Sequence, residues 1–251
     1  MKRILVSQPQ PASNKSPYYD LSNRFDVEVT FRSFIKVEGL TAREFRQHKV
    51  SIPDFTAILL TSKTAVDHFF RLCEETRYSV PDTLKYFCVN ESIALYLQKY
   101  ITYRKRKIFF SETGRPEDLV PVIQKHNKEK YMLPVSETFA DDKANTLDEH
   151  GIQYTKAIMF RTVSNDFQPG EKLDYDIIIF FSPQGIKTLL NNFPDFVQGD
   201  IAIGAMGQST IEAINEANLR LDITTSPETP SMVAAIQQFI LKKYPELEKE
   251  D

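Results

Sequence analysis

Hydroxyl side chains recur where short apolar segments of this chain end. The eight turns that carry them contain Ser7, Thr61 with Ser62, Ser92, Ser111 with Thr113, Ser136 with Thr138, Ser182, Ser209 with Thr210, and Thr224 with Thr225 and Ser226. A helix that begins at such a turn offers free N–H groups and the positive end of its dipole, and together these bind carboxylates or phosphates. A single serine or threonine at a helix start more commonly caps that helix. Turns of this kind in two facing domains predict a cleft for a ligand with several anionic groups.

Motifs for nucleotides, metals and acyl transfer are absent or incomplete. Neither G-x-G-x-x-G nor G-x-x-x-x-G-K-[ST] occurs, which disfavours a dinucleotide or P-loop site. Ser182 lacks the preceding glycine of a nucleophile elbow. Two cysteines are too few for a disulfide scaffold or a Cys₄ zinc site, and the histidines show no H-x-x-x-H spacing. We therefore expect no metal site, and ordinary surface or boundary positions for His48, His68, His126 and His150.

The charge balance is that of an ordinary globular protein. The 251 residues include 31 Lys and Arg against 34 Asp and Glu, a net charge of −3. This balance excludes a basic nucleic-acid-binding protein and a disordered polyelectrolyte. The basic run 104–107 follows a predicted helix over 92–100, so we place it on a solvated face at the end of that helix. With no apolar run of membrane length and no signal peptide at the start, we expect a cytoplasmic protein.

The elements that must position these turns repeat along the chain. Residues 54–62 are an apolar segment that ends in serine, and residues 174–182 are another at a constant offset of 120. Each is typical of a buried strand, and each precedes an amphipathic helix. Two further pairs of segments match: 87–92 with 205–210, and 115–120 with 229–234. Segments 115–120 and 229–234 each have a proline at a predicted first helical position. Weaker matches pair 4–7 with 132–136 and 26–29 with 151–154.

Two copies of a strand–helix alternation predict two similar α/β domains. Such alternation requires parallel sheets with helices on both faces. The repeat alone would divide the chain near residue 125. In open parallel sheets, ligands bind beyond the carboxyl ends of the strands, and the hydroxyl-bearing turns are predicted to lie there.

The motifs, taken in order, resemble those of uroporphyrinogen-III synthases. They are Phe180-Phe181-Ser182-Pro183-Gln184-Gly185, Ala205-Met206-Gly207-Gln208-Ser209-Thr210 and residues 225–230 in the second half, Ile58-Leu59-Leu60-Thr61-Ser62-Lys63 in the first half, and Ala157-Ile158-Met159-Phe160-Arg161-Thr162 between them. The resemblance covers the whole chain. It implies one domain built from residues 1–34 and 165–251, a second built from 38–158, and two antiparallel connecting strands near 34–38 and 157–164.

The resemblance also implies a reaction. Hydroxymethylbilane, a linear tetrapyrrole, would lose its terminal hydroxyl as water and close through a spiro-pyrrolenine that inverts ring D, so that the protein would be a cyclising hydro-lyase of heme biosynthesis. Because the bilane closes spontaneously to the symmetric I isomer, catalysis would be largely control of conformation. The resemblance implies no metal or organic cofactor, and a monomer that acts on this small molecule without nucleic acid or membrane. A non-enzymatic hinge protein for a small polyanionic ligand would show the same composition and turns.

Carried over by motif, the family's substrate-binding positions are Thr61, Ser62, Asn90, Ser92, Ser182, Gly207, Ser209 and Thr210. Two positions depart from the family's pattern. Phe160 stands where the family usually has a tyrosine, so no catalytic residue is identified, and we expect Phe160 to contribute shape and exclusion of water. Asn90 stands where a glycine is common, which would keep the backbone farther from the ligand.

Overall fold

The chain folds into two compact units, which a computed structural model describes over residues 1–13, 15–138 and 145–249. Unit 1 comprises Met1–Lys36 and Val163–Asp251, and unit 2 comprises Val37–Thr162. The chain thus leaves unit 1 early and returns to it late. Within the described ranges, no helix is long and apolar enough to cross a membrane.

Strands and helices alternate along most of the chain. The strands are β1 (Lys2–Val6), β2 (Val27–Phe31), β3 (Ile35–Gly39), β4 (Ala57–Leu60), β5 (Lys85–Cys88), β6 (Ile108–Phe110), β7 (Tyr131–Ser136), β8 (Tyr154–Ser164), β9 (Ile177–Phe180), β10 (Ala202–Ala205) and β11 (Ile223–Thr224). The helices are α1 (Pro17–Arg24), α2 (Ala42–Gln47), α3 (Lys63–Glu75), α4 (Glu91–Tyr96), α5 (Val120–Lys125), α6 (Asn145–Glu149), α7 (Pro183–Asn192), α8 (Gln208–Glu216) and α9 (Met232–Lys243).

Unit 1 is built on a parallel sheet with the strand order β11-β10-β9-β1-β2. Residues of β9 point alternately to the two faces: Ile177 and Ile179 join one apolar core, and Ile178 and Phe180 join the other. Because both faces are covered, the strand is a continuous apolar run and not an alternating one.

Phe34 closes one end of the second core of unit 1. Its side chain is fully buried, with its ring edge-on to Phe167 at 5.1 Å and to Phe180 at 5.5 Å between centroids. The Arg32 guanidinium lies 3.4 Å from the centre of the Phe167 ring and donates a 3.1 Å hydrogen bond to the carbonyl of Asn165. These contacts hold the two chain segments that leave and re-enter unit 1.

Unit 2 is built on a six-stranded sheet with the order β3-β8-β7-β4-β5-β6. The five strands from β8 to β6 are parallel. Strand β3 lies beside β8 and runs antiparallel to it, since the N–H of Leu40 reaches the carbonyl of Met159 while that of Asn165 reaches the carbonyl of Phe34. The basic run 104–107 immediately precedes β6, at the amino edge of this sheet, and Arg104 and Lys107 both lie within 4 Å of the Asp82 carboxylate there.

The two sheets confirm the predicted internal repeat. Read as β6-β5-β4-β7-β8, the parallel part of unit 2 has its equivalent strands in the same spatial order as β11-β10-β9-β1-β2 of unit 1. Strands β4 and β9 begin at Ala57 and Ile177, and helices α3 and α7 begin at Lys63 and Pro183, so both pairs keep the offset of 120. The predicted fold class, parallel sheets flanked by helices, is confirmed. The division near residue 125 that the repeat alone suggested is not the one that the contacts give.

The structure corrects two helix boundaries expected from the sequence. The helix expected over 92–100 ends at Tyr96, and a 3₁₀ turn over Leu97–Lys99 follows. The tighter winding lets Tyr100 stack on Phe70 at 4.4 Å between ring centres. At the other boundary, Pro230 precedes α9 and does not start it, because Ser231 is the N-cap and accepts a 3.2 Å hydrogen bond from the N–H of Ala234.

Candidate functional site

The carboxyl edge of the unit 2 sheet brings together four of the predicted site residues. Leu60 and Cys88 are register partners on β4 and β5, so the turns that follow these strands are neighbours. Ser62 caps α3, its hydroxyl oxygen accepting the N–H of Ala65 at 3.0 Å. Asn90 caps α4, its carbonyl oxygen accepting the N–H of Ile93 at 3.0 Å. Thr61 precedes the first cap, and Ser92 lies within the first turn of α4.

The same edge of the unit 1 sheet brings together the other four. Phe180 and Ala205 are register partners on β9 and β10. Ser182 caps α7, its hydroxyl oxygen accepting the N–H of Gly185 at 3.3 Å. Gly207 is the N-cap of α8 without any side-chain bond, so Ser209 and Thr210 lie inside the first helical turn. Ser209 is exposed, whereas Thr210 is buried.

Three of these residues adopt one capping conformation. The φ angles of Ser62, Asn90 and Ser182 are −157°, −156° and −156°. Each side chain accepts a hydrogen bond from the backbone N–H of the residue three positions later. Capping therefore accounts for one polar atom of each residue. The earlier N–H groups of α3 and α4 keep no intrahelical partner and face the carboxyl edge, where an anion can bind. Helix α7 begins with Pro183, so only the N–H of Gln184 is left at its first two positions.

Gly207 and Asn90 occupy equivalent turns but differ in their backbones. Gly207 has φ +92° and ψ 137°, a region that is essentially open to glycine alone. Asn90 has extended backbone that any residue adopts. The exchange of glycine for asparagine therefore costs no strain at Asn90, and it converts a turn with bare N–H groups into one with a carboxamide cap.

Two of the remaining hydroxyl-bearing turns bond carboxylates of their own units. Ser111 and Thr113 both donate to the Asp118 carboxylate, at 3.1 and 2.5 Å. Ser226 donates to Glu228 at 2.7 Å. Ser7 is buried, and its N–H donates to the carbonyl of Ile179. The hydroxyls of Ser111, Thr113 and Ser226 therefore stabilise loops.

Phe160 lies at the carboxyl edge of unit 2, opposite Ser136, the last residue of β7. Only 9% of its surface is exposed, and its ring stacks on the imidazole of His68 at 5.0 Å with an angle of 18° between the planes. Burial lowers the pKa of His68 below its ordinary value, and the neighbouring Arg71 cation lowers it further. From the sequence we expected His68 to be an ordinary surface or boundary histidine, because no spacing motif connects residues 68 and 160.

Arg71 fixes the other side of this histidine. Its Nε donates a 3.1 Å hydrogen bond to His68 Nδ1, and its Nη2 donates to the carbonyl of Leu40 at 2.8 Å. Its Nη1 lies 2.5 Å from the Glu75 carboxylate. The guanidinium also needs Gly39, because a Cβ there would lie 2.6 Å from Nη2. These contacts hold the Arg71 guanidinium against the His68 imidazole.

A cluster around Asp67 of α3 joins this helix to the end of α4 and the 3₁₀ turn that follows it in unit 2. The carboxylate accepts hydrogen bonds from the hydroxyls of Tyr96 at 3.0 Å and Tyr100 at 2.5 Å, and from Lys99 at 2.9 Å. Burial disfavours the ionised form, but the three donors outweigh burial and hold the pKa of Asp67 below its usual range. The cluster holds the end of α4 against α3.

The cysteines and the metal-ligating side chains of the described residues do not form a reactive site. Cys73 and Cys88 are buried, and burial raises the pKa of each thiol to about 12. Neither is therefore a thiolate nucleophile at neutral pH. Across residues 1–13, 15–138 and 145–249, no three His, Cys, Asp or Glu side chains converge as a metal site.

One family model matches most of this chain. The family model described as Uroporphyrinogen-III synthase HemD matches residues 18–237. Among solved structures, uroporphyrinogen-III synthetase from Helicobacter pylori 26695 is 16% identical, covers 97% of this chain and 100% of its own, and superposes with a TM-score of 0.59, which shows a shared fold. A mutant uroporphyrinogen III synthase from the extremely thermophilic bacterium Thermus thermophilus is 13% identical over 97% of this chain and 100% of its own, with a TM-score of 0.48. No curated protein matches.

Proposed function

The chain belongs to the uroporphyrinogen-III synthase family, and we propose that it cyclises hydroxymethylbilane to uroporphyrinogen III in heme biosynthesis. The observation that carries this proposal is the match of the family model over residues 18–237, which spans both units. In reaction terms the protein would be a hydro-lyase, because water leaves as the ring closes, and it would act as a monomer.

The carboxyl edges suit such a substrate. Each pyrrole of the bilane carries carboxylate side chains, and the starts of α3, α4, α7 and α8 offer N–H groups with the positive end of a helix dipole. We propose that the substrate binds at Thr61, Ser62, Asn90 and Ser92 of unit 2 and at Ser182, Gly207, Ser209 and Thr210 of unit 1. Binding at several points would hold ring D over ring A, which favours closure through the spiro-pyrrolenine over direct closure.

Isomer analysis tests the function itself. We expect freshly made hydroxymethylbilane, incubated with the protein and then oxidised, to give mainly the III isomer of uroporphyrin. A chelator should leave the rate unchanged, because the reaction proposed here uses only binding groups of the chain. Production of isomer I alone at stoichiometric protein would contradict the enzyme and favour a non-enzymatic binder of polyanions. A rate that falls with chelator would contradict only the absence of a metal.

Replacing Ser209 and Thr210 together by alanine should weaken substrate handling more than folding. Gly207, and neither hydroxyl, caps α8, so the double variant keeps its N-cap. Loss of the buried Thr210 methyl group should cost about 1 kcal/mol of unfolding free energy. We expect KM for the bilane to rise about tenfold, measured from initial rates of isomer III formation. Ser22→Ala, in the last turn of α1 in unit 1, is the control. Unchanged kinetics in the double variant would show that Ser209 and Thr210 are not part of the site.

Phe160→Tyr should change the rate by less than about tenfold, equivalent to ~1.4 kcal/mol in the barrier. The Phe160 ring is nearly buried against His68, so it supplies shape and excludes water without a hydroxyl. The rate of isomer III formation by the two proteins, side by side, checks this. A nearly inert parent chain that tyrosine makes active would show that the phenol is needed.

A further inference from the structure

The His68 imidazole is held in a single protonation state by its neighbours in unit 2. Arginine stays protonated and only donates, so the 3.1 Å hydrogen bond from Arg71 Nε requires an unprotonated Nδ1 on His68. The remaining proton of the neutral ring is then on Nε2. A second proton on Nδ1 would break this bond and place two cations side by side. His68 is therefore a fixed neutral donor.

The Nε2–H group of His68 is available. Within the described part of the chain, the imidazole makes one hydrogen bond, the bond to Arg71. One face of the ring is covered by Phe160, and the residue is half-buried. Since Phe160 lies opposite the last residue of β7, the donor lies at the carboxyl edge, where the binding turns Thr61 to Ser62 begin α3.

A second histidine of unit 2 has similar surroundings at the opposite edge. The His126 ring lies 4.8 Å from Phe109, and its Nδ1 is 3.3 Å from Lys85 Nζ. Lys85 begins β5, so His126 is at the amino edge. Both residues thus have an aromatic neighbour and a cation on Nδ1, and they lie at opposite edges of the sheet. His126 is the matched control.

We propose that His68 donates its Nε2–H hydrogen bond to the hydroxyl oxygen that leaves hydroxymethylbilane. The proposal rests on the proposed function and adds a residue that acts on the leaving group. As the bond from the methylene carbon to oxygen breaks, its electron pair goes to oxygen and the ring-nitrogen pair forms the new double bond of the azafulvene. The proton lost from that nitrogen and the departing hydroxyl together make up the water, and His68 keeps its own proton.

The surroundings of His68 strengthen this donor. Charge develops on the leaving oxygen only as the bond breaks, so a donor aimed there stabilises the transition state more than the bound substrate. The Arg71 cation on Nδ1 draws electron density from the ring, which makes Nε2–H a stronger donor. The buried Phe160 ring removes water that would compete for the same proton.

Kinetics of three variants test the proposal. His68→Phe keeps an aromatic ring and removes the donor, His68→Gln keeps a neutral N–H at similar reach, and His126→Phe makes the same change at the other edge. We expect His68→Phe to lower kcat at least tenfold with KM within about twofold, His68→Gln to recover most of the loss, and His126→Phe to keep kcat within about twofold. This tenfold threshold is set below the loss of about 10²-fold that marks the low end of what one transition-state donor contributes.

The outcomes separate this proposal from the proposed function. Equal kcat losses in His68→Phe and His126→Phe, a change in KM alone, or no recovery with His68→Gln would each overturn the role of His68. Isomer I as the only product of the parent chain would instead overturn the function. Nitrogen chemical shifts of His68 give a readout without substrate: we expect the Nε2–H form in the parent and a mixture of forms in Arg71→Met, and a mixture in the parent would contradict the fixed donor.

Discussion

A variant with aspartate in place of Ser62, Asn90 and Ser182 should fold as stably as the parent chain and bind hydroxymethylbilane at least a hundredfold more weakly. All three residues cap helices in the same extended conformation, and aspartate is as good an N-cap as serine or asparagine. Its charge also complements the helix dipole. The free energy of unfolding should therefore stay within about 0.5 kcal/mol or increase slightly.

The loss of binding would come from repulsion at the carboxyl edges. Each new carboxylate would lie where a substrate carboxylate binds, at a cost of at least about 1 kcal/mol per pair even when solvated. Three such costs correspond to about two powers of ten in affinity. KM measured at low and high salt checks this, because added salt screens exposed charges and should shrink the defect.

A control variant carries the same added charge away from these edges. Ser79, Thr83 and Asn127 are exposed residues that precede β5 and β7 at the amino edge of unit 2. Aspartate at these three positions should leave KM within about twofold. If both triple variants bind equally, net charge alone explains the effect, and the capped turns are not where the substrate binds.

Phe34→Ala should lower the free energy of unfolding of unit 1 by about 3–5 kcal/mol, the range for a large aromatic removed from a core. The fully buried ring packs edge-on against Phe167 and Phe180, and its loss would also leave the Arg32–Phe167 stack without one wall. Such a change consumes much of the stability of an ordinary domain. Hydrogen exchange of backbone amides in denaturant resolves it, with faster exchange expected in β1 and β9.

Val37→Ala is the natural comparison for this prediction. Val37 lies three residues further along the chain and is 49% exposed, so its replacement should cost less than about 0.5 kcal/mol. Amides of β4 and β5 in unit 2 should exchange as in the parent in both variants. Equal acceleration in the two units of Phe34→Ala would contradict the independent core that we assign to unit 1.

The repeat could be predicted because it depends on local patterns. A buried parallel strand must be a short apolar run, and the helix after it must begin with a capping residue, so residues 54–62 and 174–182 reveal both elements. The same logic identified Ser62 and Ser182, whose capping bonds the structure contains. Strands, helices and their caps can be predicted from the sequence where the signal is local and repeated.

The environment of His68 could not be predicted, because it depends on contacts between residues far apart in the chain. The stack joins residues 68 and 160, and Arg71 reaches the carbonyl of Leu40 only where Gly39 leaves room. No periodicity carries such information. The early end of α4 could not be predicted for a related reason. The hydroxyls of Tyr96 and Tyr100 donate hydrogen bonds to Asp67, which lies on another helix.

The order of strands in unit 1 has a consequence for synthesis of the chain on the ribosome. Ile4 of β1 pairs with Ile177 of β9, whereas every strand of unit 2 is encoded between residues 35 and 164. Unit 2 can therefore fold as it emerges, while the apolar β1 waits for its central partner. At about 5–20 residues per second, that wait lasts roughly 9–35 s. Throughout this interval β1 is an exposed, aggregation-prone edge, and we expect a chaperone that shields nascent apolar chains to raise the yield of folded protein most when translation is slow.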